Sequence, residues 1–180
     1  MIVSGPSGAG KSFRVAELIK FKDKIIYPPP QRVYFCYSEW QPLYESGAFS
    51  GVNFLQGMIE LEQIDTSVTN LLIIDDLMTI LGKKEGLMIS ELFTKHSHHK
   101  NLSVVLITQN MFERGVHMRN CQLNSHYQML FKNPRDRTQI SYLARQMYPN
   151  KWKFMLSAYN DAVAKPYGYQ IGRASCRERV

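Results

Sequence analysis

Eight consecutive residues, Gly5-Pro6-Ser7-Gly8-Ala9-Gly10-Lys11-Ser12, follow the pattern G-x-x-x-x-G-K-[ST]. That spacing suits the wrapping of a polyphosphate. Glycines let the backbone turn its N–H groups inward around an anion. A helix starting at the lysine adds a favourable dipole. Lys11 is expected to reach the β- and γ-phosphates, and Ser12 to ligate Mg²⁺. The expected cofactors are therefore ATP and Mg²⁺. The bland alternative is a glycine-rich turn of no consequence. A strand-like Met1–Ser4 before the loop and a helical pattern after it argue against that.

A second constellation completes the chemistry. In Asn70-Leu71-Leu72-Ile73-Ile74-Asp75-Asp76 an apolar strand ends in two carboxylates. Asp75 is expected to hold the Mg²⁺ shell. Asp76 stands where ATPases with this loop often have a glutamate that activates water, so it is the candidate base. It is one methylene shorter than that glutamate. Glu39, just after the strand Val33–Ser38, is the rival base. A helix N-cap pair after a core strand would be the structural reading of the same two aspartates.

A third stretch, His96-Ser97-His98-His99-Lys100, precedes another apolar run that ends in Thr108-Gln109-Asn110. Three histidines in four residues suggest a metal site. No cysteine or carboxylate accompanies them at ligand spacing, however. In ATPases with an added central strand, that strand lies between the loop strand and the acidic strand. Ser103–Thr108 is apolar enough to be it. Gln109 would then face the γ-phosphate, where an amide can both donate and accept. The histidines fall at the opposite end of the same strand, roughly 20 Å away. A solvated helix end is the plainer reading of them, with a subunit contact or a nucleic-acid contact as the further alternative.

These residues need elements to position them. Val15, Leu18 and Ile19 repeat at helical spacing within Ser12–Lys22. Val33–Ser38, Leu71–Asp75, Ser103–Thr108 and His126–Lys132 read as strands. Gln41–Gly51 reads as loop or short helix. Gly86–His99, Arg135–Met147 and Trp152–Ala164 read as helices. Pro28-Pro29-Pro30 is a stiff surface segment. Continuous apolar strands alternating with helices predict a mostly parallel sheet covered on both faces. The predicted fold is an α/β three-layer sandwich of the P-loop NTPase kind, residues 1–170, with the sensor strand between the glycine-loop and acidic strands.

Composition sets the outer limits. The chain has 180 residues and a net charge of +7, enough for one domain with a real core. No apolar run approaches the roughly 18 residues of a membrane span, and no secretory signal is visible. Cys36, Cys121 and Cys176 lack metal-ligand spacing, so a reducing, intracellular setting is the default. The last ten residues, IGRASCRERV, lack periodicity and read like the translation of a common sequencing-adapter DNA. They are set apart as a read-through artefact without structure. Removing their three arginines and one glutamate lowers the charge from +7 to +5, which suits a polyanionic partner without specifying one. The chain is expected to be a fragment open at both ends.

Other nucleotide users are disfavoured. The base-reading Asn-Lys-x-Asp of GTPases is absent: Asn150-Lys151-Trp152-Lys153 lacks the aspartate, and Asn133-Pro134-Arg135-Asp136 has proline for lysine. A transporter-type Leu-Ser-Gly-Gly-Gln does not occur either. Two other classes stay open. One is a small-molecule or nucleoside kinase, with Arg135–Arg137 imitating its lid. The other is a non-hydrolysing P-loop relic.

Together GPSGAGKS, CYSEWQPLY (Cys36–Tyr44), LLIIDDLM (Leu71–Met78), LFTKHSHHKNLSVVLITQNMF (Leu92–Phe112), LNSHYQMLFKNPRDRTQISYLARQM (Leu123–Met147) and PYGY (Pro166–Tyr169) resemble a known family. It is that of the packaging-type ATPases of Maverick/Polinton elements and related large DNA viruses, poxvirus-type enzymes of the FtsK–HerA superfamily. The resemblance spans about Ile2 to Tyr169. It implies a homo-oligomeric ring that hydrolyses ATP and moves double-stranded DNA into a capsid, with capsid proteins as further partners and no membrane. It implies an arginine finger from a neighbouring subunit, with Arg114, Arg119, Arg135 and Arg137 as candidates. The setting would be a nucleus, viral factory or virion. Members of the family usually continue before the glycine loop and past PYGY.

Overall fold

The computed structural model describes residues 1–77, 83–96, 101–110, 116–134 and 137–173. Among them seven strands form one sheet: β1 (Ile2–Ser4), β2 (Arg32–Tyr37), β3 (Val52–Gln56), β4 (Asn70–Asp75), β5 (Leu102–Thr108), β6 (Tyr127–Phe131) and β7 (Tyr169–Arg173). Their order is β3-β2-β4-β5-β1-β6-β7. All neighbours are parallel except β6 and β7. The expected insertion of a central strand between the loop strand and the acidic strand is thus observed, as is the mostly parallel sandwich. Parallel strands require crossovers; helices supply those after β1, β4 and β5, and short 3₁₀ turns the one from β2 to β3.

The helices are α1 (Lys11–Lys20), α2 (Lys22–Ile25), α3 (Lys83–Glu91), α4 (Val116–Asn124), α5 (Arg137–Met147) and α6 (Trp152–Ala162). A π-helical turn, Leu92–His96, extends α3. None is long and apolar enough to cross a membrane. Strand residues alternate between two buried layers, as a period of two demands. Val3, Phe35, Leu71, Ile73, Val105 and Ile107 share one face with Val15, Ala16 and Ile19 of α1. Leu72, Ile74, Leu106 and Leu130 share the other with residues of α3 to α6. Both faces of β4 are buried along its whole length, which is why its sequence is a continuous apolar run rather than an alternating one. Each fully buried Leu or Ile contributes about 1.5–3 kcal/mol.

Three elements depart from the sequence reading. β3 follows two short 3₁₀ turns, Pro42–Glu45 and Gly47–Phe49, and forms a sheet edge. α4 carries only two fully buried residues, Met118 and Cys121. β7 takes Ile171, Gly172 and Arg173 from the segment set apart at residue 171. Antiparallel pairing with β6 needs backbone N–H and C=O groups, not an apolar pattern. Residues 174–180 lie outside the described residues.

Packing fixes the start of the glycine loop before any phosphate chemistry enters. A Cβ added at Gly5 would stand 2.6 Å from Phe131 Cβ, whereas one at Gly8 would meet nothing within 4 Å. Gly8 instead needs its freedom for a φ of +75°. Gly5→Ala should therefore cost about 1–3 kcal/mol by overpacking, and Gly8→Ala only about 1 kcal/mol by backbone strain. Urea unfolding without nucleotide checks this; equal losses would contradict the packing argument.

Candidate functional site

β1 runs straight into the loop, and α1 starts at Lys11. Gly10 precedes the helix at φ +97°, a left-handed conformation that glycine adopts without penalty. The loop is held from inside by Lys11, whose Nζ donates to the carbonyls of Gly5 at 2.7 Å and Pro6 at 3.0 Å. Burial lowers the Lys11 pKa, and the charges of Asp75 and Asp76 work against that. The ammonium therefore lies in the field of both carboxylates and at the mouth of the loop. Ser12 is half-buried in the first turn of α1.

The end of β5 ties the two motifs together. Thr108 O accepts from Gly5 N at 3.3 Å, and Ile107 O accepts from Asp76 N at 3.2 Å. One strand end thus anchors the loop on one side and the acidic pair on the other. The next residue, Gln109, donates from Nε2 to Asp76 Oδ2 in a short hydrogen bond. Asp76 holds this position at φ +52°. A non-glycine residue there stores strain of about 1–3 kcal/mol, a cost typical of functional positions.

Asp75 is buried at the end of β4, beside Tyr37 of β2. Its Oδ2 accepts from Tyr44 Oη at 2.7 Å. Burial raises the Asp75 pKa, and the Asp76 charge adds to this; the Tyr44 hydrogen bond and the Lys11 charge oppose it. Burial, reinforced by Asp75, pushes the Tyr44 phenol far above its usual range. Tyr44 therefore stays the donor. Its ring sits in an aromatic cluster, 4.9 Å from Phe35, stacked at 5.3 Å on Phe54, and edge-on to Trp40 at 5.4 Å. Sequence reasoning missed this role for Tyr44. The residue lies in CYSEWQPLY, and its position 31 residues before Asp75 gave no local clue. A hydroxyl on Ser12 and a carboxylate oxygen on Asp75 form a hard-oxygen donor set that suits Mg²⁺, which usually takes few protein ligands and keeps several waters.

The other candidates fall differently. Glu39 is exposed beyond the end of β2. Arg119 is exposed on α4. Arg114, Arg135, His98 and His99 lie outside the described residues, and of His96 and Arg137 the backbone alone is described. The backbone of His96 ends the π turn before β5, at the N-terminal edge of the sheet. The loop, Asp75, Asp76 and Gln109 all gather at the C-terminal edge.

No protein-family model matches the chain, and no curated protein matches it. Solved structures do. The chain is similar to B204, the DNA-packaging ATPase of Sulfolobus turreted icosahedral virus, with a TM-score of 0.60 and 13% identity over 96% of this chain and 91% of that one. It is also similar to the genome-packaging NTPase B204 of Sulfolobus turreted icosahedral virus 2 in complex with ATP-gammaS. There the TM-score is 0.53 and the identity 13%, over 96% of this chain and 91% of that one. At this identity the likeness concerns the fold, which is that of P-loop NTPases.

The buried carboxylate gives a prediction with a definite sign. A folded-state pKa raised by burial means that the Asp75 contribution to stability is complete below the unfolded carboxylate pKa of about 3.9. It is lost as pH rises through the raised folded value. Asparagine cannot ionise. Asp75→Asn should therefore melt higher than the parent at neutral pH, and the gap should close toward about pH 4. Tyr44→Phe should do the opposite and destabilise by about 1–3 kcal/mol, because the carboxylate loses its buried donor. Nucleotide-free melting curves across this pH range check both. A gap that does not depend on pH would count against burial as the cause.

Proposed function

We propose that this chain binds MgATP and hydrolyses it to drive movement along double-stranded DNA. The observation that carries the reading is the contact of Gln109 with Asp76 beside the lysine-held loop. An amide and a carboxylate at that point can orient and deprotonate a water attacking the γ-phosphate. The glycine loop and the first turn of α1 hold the phosphates through backbone N–H groups. Lys11 offsets their charge. Ser12 and Asp75 would hold Mg²⁺, which when bound neutralises charge on the β- and γ-oxygens. Asp76 accepts the proton of the water, and Gln109 fixes its direction. The backbone strain at Asp76 and its side-chain bond to Gln109 favour it over the exposed Glu39 as base.

The DNA-moving part of the proposal rests on the resemblance to packaging ATPases of Maverick/Polinton elements and large DNA viruses. The similarity of fold to two viral packaging NTPases supports it. The positive net charge is compatible with a DNA partner. In this proposal copies form a ring, and one of Arg114, Arg119, Arg135 and Arg137 reaches the γ-phosphate of the neighbouring subunit.

Lys11→Ala should abolish nucleotide binding or turnover. Asp76→Asn should keep ATP binding and stop hydrolysis, while Glu39→Gln stays active. Gln109→Ala should change ATP affinity little and slow turnover about a hundredfold, because losing one donor that orients the reacting water costs roughly 3 kcal/mol of transition-state stabilisation. Equilibrium binding of ATP together with phosphate release, with and without duplex DNA, measures all four. An active Asp76→Asn with a dead Glu39→Gln would move the base to the end of β2. Turnover that ignores DNA and requires a small phosphate acceptor would replace the motor with a kinase.

A further inference from the structure

Tyr167 combines features that packing does not account for. It is 66% exposed, and its φ is +58°. A bulky side chain in the left-handed region is strained, and exposure returns little of that cost. The turn that carries it is nonetheless fixed. Gly168 N donates to Lys165 O at 3.0 Å. A Cβ at Gly168 would lie 2.3 Å from Ala162 O, so the chain passes where only glycine fits. The next residue, Tyr169, is tied on two sides: its ring lies 5.5 Å from Phe131, and the Arg14 guanidinium of α1 stands 5.0 Å from its centre.

The result is a ring set against the glycine loop. A Cβ at Gly10 would be 3.3 Å from Tyr167 Cδ1 and 3.6 Å from Tyr167 Cβ. The sheet order gives this contact a direction. Asp76 and Gln109 follow β4 and β5, on one side of β1, while β6 and β7 lie on the other. A triphosphate with its γ end at Asp76 and Gln109 runs along the loop toward α1. On the phosphate-loop reading proposed above, its nucleoside would leave toward β6 and β7, the side on which Tyr167 meets Gly10. The exposed ring of Tyr167 stands on that side of the loop.

We propose that Tyr167 is the stacking platform for the base of the bound nucleotide. The inference rests on the phosphate-loop reading above and deepens it. Every base has a π-face, so such a platform contributes affinity without choosing between purines. It acts on the nucleoside end alone and leaves the phosphate contacts unchanged.

The test compares ATP with inorganic tripolyphosphate, which lacks a base, on the parent chain and on Tyr167→Ala, Tyr167→Trp and Lys11→Ala. Tyr167→Ala should weaken ATP binding about tenfold and leave tripolyphosphate binding and the melting temperature unchanged. Tyr167→Trp should retain ATP affinity. Its fluorescence should be quenched by ATP beyond any change from Trp40 and Trp152 in the parent, and tripolyphosphate should not quench it. ATP binding by Tyr167→Ala at parental strength overturns the proposal, as does tighter binding, which would make the ring a cover. Equal loss of both ligands also overturns it, because the ring would then be shaping the loop. Failure of the underlying reading looks different: Lys11→Ala would bind both ligands as the parent does, and the platform would fall with the loop.

Discussion

A carboxylate at the end of β4 is kept in a place where ionisation is costly, and much of the local architecture answers that cost. Asp75 is buried because β4 lies between β2 and β5 and is covered on both faces. An unpaired charge there would be expelled or protonated. The Tyr44 hydroxyl and the nearby Lys11 ammonium counter this. Tyr44 can serve only because Pro42–Glu45 folds as a 3₁₀ turn and the ring is gripped by Phe35, Phe49 and Phe54. The aromatic cluster is thus the scaffold of a hydrogen-bond donor as well as a piece of core.

The second constraint is topological. Positions 5, 76 and 109 are far apart in the chain and meet because three parallel strands end at one edge. The carbonyls of Ile107 and Thr108 divide their acceptance between Asp76 and Gly5. Backbone groups that would otherwise be unsatisfied at the strand end become the frame of the site. Side chains on this frame inherit the precision of the sheet, which loops alone would not supply.

This explains which parts were legible in the sequence. β4 and β5 were, because burial on both faces leaves continuous apolar runs. The position of Gln109 just past β5 was, because the apolar run Ser103–Thr108 ends directly before it. Tyr44 was not, because its partner lies on another strand and only the folded chain joins them. β3 was not, because it is an edge strand of mixed exposure, VNFLQ, entered from short turns. β7 was not, because Tyr-Gln-Ile-Gly-Arg carries no periodic signal and gains its shape from β6. α4 was missed for a related reason: its buried side is only Met118 and Cys121, too narrow a stripe to register as a helical period.

The contact between Gly5 and Phe131 bears on how such chains change over generations. The space a methyl group would need at position 5 is already filled by a side chain from β6. Replacement of Gly5 is thus opposed by the core itself. Any descendant that keeps Phe131 in place is under pressure to keep this glycine, simply to fold. Asp75 and Asp76 carry the reverse pressure, since one is a buried charge and the other a strained backbone. On stability alone, they would drift first toward residues that fold more easily. The first glycine of the loop is therefore a record of architecture, while the acidic pair is held at a cost to the fold.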